Sequence, residues 1–595
     1  MKKMPRPEYP RPQFVRTDWL CLNGQWEFEI DSGDSGLERG LVSRPLNGQI
    51  TVPFCPESTL SGVGNTDFLH AVWYRRVVKL PKAWAGRQVL LHFQAVDYDS
   101  TVWANGIEVA RHRGGFTPFT ANLAAVAKGG EQVTVVVRAR DPHRRPMPLG
   151  KQSAEYANAG CLYTRTTGIW QTVWMEPVPH TSLRRPKTTP DLGNGRFVIS
   201  QPMVGNRTGY RLRATLRDPA GVVSTATVPA DSDFIPTVNL LVPEGRRRLW
   251  SIEDPFLFDI DLELVNAAGE IVDQATTYAG LRSICIDGQA VRLNGKAVFQ
   301  RLVLDQGYYS DGILTAPTDA ALKRDIELSM AAGFNGARLH QKVFEERFLY
   351  HADRLGYLVW GEFADWGCDV GGPDTNNQQP PATYVTQWLE ALERDYSHPC
   401  IVGWCPLNET HQRLHDRITV LDDVTRAMFL ATKAMDPTRP VLDTSGYSHR
   451  VAQTDIYDSH DYEQAPAKFA ANHAGLAEGK PMVNLKGGKA PMSCAYGGQP
   501  YFVSEFGGIW WNPDARPDEP SWGYGDRPKS ADEFYARFEG LCGVLLNNPK
   551  MFGYCYTQLT DVYQEQNGIY RFDRSEKLDM GRIRAAQIRK AAIEV

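Results

Sequence analysis

The chain has 595 residues, room for three or four domains and a large buried core. Lys and Arg number 65 against 69 Asp and Glu, a net charge of −4, so nothing advertises a nucleic-acid or membrane-surface partner. Hydrophobic residues at 42% and charged residues at 23% exclude global disorder, and an aromatic content of 11% suits wide ligand clefts as well as all-β cores.

The N-terminal Met1-Lys-Lys-Met-Pro-Arg-Pro-Glu-Tyr-Pro is basic but no apolar run follows it, a poor secretory signal. No stretch is apolar over the length a spanning helix needs. The ten Cys include no Cys-x-x-Cys pair, and Cys21, Cys285, Cys400 and Cys555 lie in apolar runs, as buried free thiols do. The expectation is a cytoplasmic protein, or a periplasmic one if a leader has been removed.

In chain order, residues 17–180 read as β-structure. Gln88–Gln94 and Gln132–Arg138 are strand-like, and Thr101–Ala110 forms a hairpin turned by Asn105-Gly106. A second β segment follows: Tyr210–Leu216 and Val222–Val228 flank Asp218-Pro-Ala-Gly, and Phe258–Val265 pairs with Glu270–Thr276 across Asn266-Ala-Ala-Gly. After a hairpin at Asn294-Gly295, strand-like runs alternate with helix-period segments. Strands are expected at Ala297–Leu304, Phe334–Leu339, Tyr357–Phe363, Ile401–Leu407, Pro440–Asp443, Asp455–Ser459, Tyr501–Ser504 and Met551–Tyr556. Helices are expected near residues 319–332, 344–354, 384–396 and 419–435. Eight strands in such alternation predict a (β/α)₈ barrel; a doubly wound sheet is the rival, but no Gly-x-Gly-x-x-Gly opens a helix. The expected fold is multidomain: a jelly-roll β-sandwich over residues 1–180, an immunoglobulin-like β-sandwich over 181–285, and a C-terminal (β/α)₈ TIM barrel over 286–595.

In such a barrel, functional groups sit just past the C-terminal ends of the strands. Ile401-Val-Gly-Trp-Cys-Pro-Leu ends in Asn408-Glu409, and Tyr501-Phe-Val-Ser ends in Glu505. Two carboxyls facing each other about 5–5.5 Å apart suit retaining glycoside hydrolysis, one attacking the anomeric carbon while the other protonates the leaving oxygen. The bland alternative for either acid alone is capping a helix or pairing with Arg.

The same motifs resemble glycoside hydrolase family 2, the β-galactosidases, β-glucuronidases and β-mannosidases, over nearly the whole chain. Leu22-Asn-Gly-Gln-Trp-Glu-Phe, Trp73-Tyr-Arg-Arg, Val102-Trp-Ala-Asn-Gly and Thr167-Gly-Ile-Trp-Gln-Thr-Val-Trp resemble its sugar-binding jelly roll. Ser397-His-Pro-Cys-Ile-Val-Gly-Trp-Cys-Pro-Leu-Asn-Glu resembles its acid/base signature, and Ser504-Glu505-Phe-Gly-Gly its nucleophile strand. The resemblance implies Glu409 as general acid/base, Glu505 as nucleophile and Asn408 as a bond to the sugar 2-OH. It implies His460 and Tyr462 as partners of the nucleophile, and Arg338 beneath both carboxylates. The acid role would require a raised pKa at Glu409.

Departures from the family pattern bear on substrate. Leu339-His340-Gln341-Lys342 stands where many members have Ser-His-Tyr-Pro, and Glu362-Phe-Ala-Asp365-Trp-Gly replaces the galactosidase-like magnesium ligands, so no metal and no cofactor are expected. Tyr556 stands where a Trp often floors the sugar site. The Asn-x-Lys that glucuronidases place after the nucleophile is missing, and Asn484-Leu-Lys486 precedes it, which disfavours a glucuronidase. Substrate contacts are expected from Asn408, Arg338, His340, Asp305, Glu362, Asp365, His460, Tyr462, Trp510, Trp511 and Tyr556, with Glu565 and Asn567 shaping the site from the last loop. His411 and His415, at helical spacing, read as surface or capping groups, and the basic runs at residues 143–145 and 246–248 as solvated turns. The expected function is a retaining exo-glycosidase on a neutral sugar, first a β-galactoside, with a carbohydrate as partner and homo-oligomerisation left open. A transglycosylase, a hydrolase of β-glucosides, arabinosides or galactofuranosides, and a non-catalytic sugar binder are the alternatives.

Overall fold

The computed structural model describes residues 4–142, 145–371, 377–486, 490–514 and 520–594. The first sandwich packs a six-stranded antiparallel sheet, centred on Ala71–Lys79 and Gln132–Arg140, against a four-stranded sheet centred on Val173–Val178 and Gln88–Phe93. The Asn105-Gly106 hairpin forms as expected, joining Asp99–Ala104 to Ile107–Arg113, with both turn residues at positive φ. The second sandwich sets four strands (Gly221–Pro229, Arg211–Asp218, Phe258–Val265, Ile271–Ala279) on three (Lys187–Asp191, Arg196–Ser200, Thr237–Leu241), the immunoglobulin-like layout. Phe14, from the N-terminal segment, packs into its core beside Leu183 and Phe197.

The barrel strands are Gln300–Asp305, Gly336–Leu339, Leu358–Glu362, Ile401–Cys405, Tyr457–Asp461, Tyr501–Gly507 and Met551–Thr557, a parallel seven-stranded sheet closed between its first and last members. The strand expected at Pro440–Asp443 is reduced to two single bridges, Trp404 to Val441 and Asn408 to Ser445. Pro440 has no N–H to give, and Asp443 accepts from the Arg450 and Val451 amides and faces His449, folding the chain back on itself. The four expected helices form at Asp319–Ala331, Glu346–Leu355, Thr383–Asp395 and Val420–Met435.

All ten cysteines are free thiols. Cys400 and Cys555 are buried as read, but Cys285 is exposed, because Ile284–Asp287 lies at the edge of a small surface sheet. Arg246 and Arg248 pair with Asp218 and Asp254 on solvated turns, whereas His143 and Arg144 lie outside the described residues. No helix among the described residues is long and apolar enough to cross a membrane.

Candidate active site

The strand ends converge on Arg338, which is fully buried. Its guanidinium donates to Glu362 Oε2 (2.6 Å), Asn408 Oδ1 (2.9 Å), the Ser504 carbonyl (2.7 Å) and Glu505 Oε1 (3.3 Å), tying four barrel strands together at one level. Burial alone would push the Glu362 carboxyl up, but Arg338 and His340 outweigh it and hold Glu362 at about 2. Tyr462 donates to the other oxygen of Glu505 at 2.5 Å. The Asn408 carbonyl oxygen of the side chain is thus engaged, while its buried NH₂ has no partner among the described residues.

His460 stands between the two glutamates. Its Nδ1 lies 2.7 Å from Glu409 Oε1 and 3.4 Å from Glu505 Oε2, and its Nε2 lies 2.9 Å from Ser445 Oγ. Ser445 has one hydroxyl proton, and donating it to Asp458 Oδ2 (3.1 Å) leaves its oxygen to accept from His460. Each ring nitrogen of His460 thus faces an oxygen that can accept from it. Burial lowers its pKa, but Glu505 and Glu409 outweigh burial and leave it raised. Gly446 makes the seat, because any Cβ there would lie 2.7 Å from the imidazole. Asn484 clamps the His460 backbone through both its amide atoms.

Glu409 corrects the expectation of a raised pKa. Burial pushes its carboxyl up, but His411 and His460 outweigh burial and hold it well below the usual range. Its backbone sits at φ 48°, an uncommon left-handed conformation for a residue with a side chain. One ligating atom from each of Glu409, His460 and Glu505 lies within 4.8 Å of the others, a set with metal-ligand chemistry that coincides with the paired acids. A second such set, Asp353, His398 and Cys400, lies at the opposite end of the barrel.

The first sandwich completes the mouth. Leu149 N donates to the Trp366 carbonyl (2.7 Å) and Gly150 N to that of Ala364 (3.2 Å), laying this segment along the loop after Leu358–Glu362. Gly150 sits at φ +60°, and a Cβ there would lie 2.2 Å from the Gln341 carbonyl oxygen. Lys151 follows, its ammonium 4.1 Å from the centre of the Trp366 ring. Tyr163, in a parallel bridge with Gln152, donates to Glu565 Oε2 at 2.5 Å.

Family models match in three consecutive blocks. Residues 44–145 match the family 2 glycosyl hydrolase sugar-binding domain, 181–282 the family 2 glycosyl hydrolase model and 315–499 the family 2 TIM-barrel domain. The chain belongs to glycoside hydrolase family 2. It is 24% identical to a β-glucuronidase of Paenibacillus borealis over 71% of this chain and 72% of that one. It is 23% identical to a β-galactosidase of Thermoanaerobacter pseudethanolicus over 65% and 50%. The solved β-glucuronidase of Ruminococcus gnavus shares its fold with a TM-score of 0.77 at 18% identity, covering 99% of each chain.

Within this family 2 scaffold the other expected residues are distributed as follows. Asn408, Arg338, His340, Glu362, His460 and Tyr462 join the two glutamates in one network, with His340 Nδ1 2.9 Å from Glu362. Asp365 accepts from Gln341 Nε2 and the Asn408 amide, and burial, reinforced by Glu362, pushes its pKa well up. Asp305 accepts from Gly307 N within its own loop, and burial and Asp325 push it up to about 7. Trp510 sits on the rim, bonded to Ser521. Trp511 is a correction: its ring packs toward Phe534, on the helix Ala531–Leu546. Tyr556 is a second, since it packs on Phe506 and Phe538 between barrel and helices, and Thr557 takes the place at the mouth, 3.1 Å from the Tyr462 hydroxyl.

Several residues near the acids escaped the reading of the sequence. Tyr524 stacks flat on Tyr462 at 3.4 Å, and Tyr447 lies edge-on to His460. His411 lies on a loop instead of a helix, 3.7 Å from Glu409, and its position two residues past the acid was an available signal. Lys151 and Asn484 carried no comparable local signal.

Proposed function

We propose that this family 2 glycosidase is a retaining, exo-acting β-glycosidase in which Glu505 is the nucleophile and Glu409 works with His460 as acid and base. The observation that carries this reading is the meeting of two strand-end carboxylates within 4.8 Å, inside the separation of double displacement. In the free enzyme the transferable proton rests on His460. When Glu505 attacks the anomeric carbon its charge is lost, His460 becomes a stronger acid, and its proton passes through Glu409 to the departing oxygen. In the second step water gives its proton to Glu409 and on to His460 as the ester to Glu505 breaks. The unpartnered Asn408 NH₂ is placed to meet a sugar hydroxyl.

For the sugar, a β-glucuronide ranks first, supported by the P. borealis and R. gnavus β-glucuronidases. A β-galactoside is the second reading, favoured by the absence of Asn-x-Lys after Glu505, where Glu565-Gln-Asn567 stands. Glu505→Ala should lower turnover of aryl β-glycosides by on the order of 10⁴-fold or more. Added azide should restore turnover and give the α-glycosyl azide. Full activity of the variant would remove Glu505 as nucleophile, and a β-azide product would reassign it as the acid/base.

A further inference from the structure

Lys151 is only 6% exposed, yet among the described residues its ammonium has no hydrogen bond and no carboxylate within ion-pair distance; its one close contact is the Trp366 face. The side chain is buried but its ammonium is not among the fully buried atoms, so a cation without a bonded anion is open to the mouth. The carboxylates around it are already engaged. Glu565 accepts from Tyr163 and Asn567, Glu409 faces His460 and His411, and Glu505 is held by Arg338 and Tyr462. The position of Lys151 is also rigid, because Leu149 and Gly150 bond the barrel loop on one side and Tyr163 N bonds the Lys151 carbonyl at 2.8 Å on the other. The charge remains: burial pulls the lysine pKa down, but Cys161, Glu565, Glu409 and Glu505 outweigh it.

We infer that Lys151, delivered by the first sandwich, is the specificity-determining cation of the sugar site, and that it reads the carboxylate of a uronic acid. The inference rests on the glycosidase reading above and extends it to a residue outside the barrel. An ammonium supplied from the sandwich does the work for which no cation stands beside Glu565 in the last loop. The Trp366 face lies under the ammonium, and through Nε1 to the Asn408 carbonyl (3.1 Å) it links Lys151 to the strand that carries Glu409.

The test compares kcat/KM of wild type, Lys151→Met and Lys151→Arg on aryl β-glucuronide and β-galacturonide against aryl β-glucoside and β-galactoside. Wild type should prefer the uronides, and Lys151→Met should lower the uronide-to-neutral ratio by about 100-fold. Lys151→Arg should recover part of it. A wild-type preference for neutral sugars, or an equal loss on both classes in Lys151→Met, would overturn the inference while leaving the glycosidase reading intact. Calorimetry with free D-glucuronate and D-glucose runs beside the kinetics. A chain that cleaves nothing but binds glucuronate through Lys151 would sink the glycosidase reading and keep the lysine's role; binding of neither sugar would sink both.

Discussion

The first sandwich meets the barrel where its strands end, and the second meets it where they begin. At the open end backbone bonds from Leu149 and Gly150 lay down a segment whose side chains reach into a polar mouth: Lys151 over Trp366 and Tyr163 on Glu565. At the closed end they are interlocks. Tyr278 donates to the Asp353 carboxylate and Trp250 to the Asp353 backbone carbonyl, His398 Nδ1 lies 2.6 Å from that carboxylate, and Arg282 donates to the Pro399 and Ile401 carbonyls. Two modules of the same β construction therefore do different work. Most of the closed-end groups bond one another, with His398 Nε2 the exception, whereas among the described residues the open end leaves the Asn408 NH₂ without a partner and the Lys151 ammonium with only the Trp366 face. Unsatisfied buried groups are where a ligand belongs.

This contrast can be broken by experiment. Asp353→Asn should cost about 3 kcal/mol of stability, since the buried carboxylate meets Tyr278, His398 and the Cys400 N–H together, while kcat/KM of the folded enzyme stays near wild type. Urea unfolding and kinetics together decide the matter, and a catalytic loss without destabilisation would erase the distinction between the two ends. His460→Gln should lower kcat/KM on poor leaving groups by about 100-fold and on activated aryl glycosides much less. It should also change the pH profile. The His460 pKa is raised above its ordinary value of 6.5, so its proton is held below that pH and lost only as pH rises through the raised value. Wild-type kcat/KM should therefore fall on an alkaline limb above pH 6.5, and the variant's limb should move down, with the proton then held by Glu409 itself. An unmoved profile would take His460 out of the proton path. The smallest effect is expected for Tyr163→Phe, about tenfold in kcat/KM with the unfolding midpoint within a few degrees of wild type, because only the bond to Glu565 is lost. A large stability loss there would make the open-end contact another interlock.

The glutamates were legible because each follows an apolar run in an alternating β/α rhythm, and a strand's end is a place the chain order reveals. Facing direction was not. Tyr556 falls on the same face as Tyr554, both packing against Phe506, and alternation along the strand turns Thr557 inward. The fifth strand failed for a local reason, Pro440 and Asp443 being poor ladder residues. The Glu409 pKa was misjudged because His411 lies on a loop that turns it back to the acid and His460 approaches from another strand, 51 positions away. Lys151 was invisible: Gly150-Lys-Gln-Ser is an ordinary loop until docking sets it against Trp366.

The segment from Leu149 to Tyr163 also bears on how such a protein can change over time. The reacting glutamates and the loop that enters their mouth are encoded far apart, in stretches joined by a separate sandwich. Recombination that exchanges only the first sandwich between relatives would hand the barrel a different neighbour for its sugar and leave the acids untouched. New substrates would then arise by inheritance of a domain, with no substitution in the barrel at all.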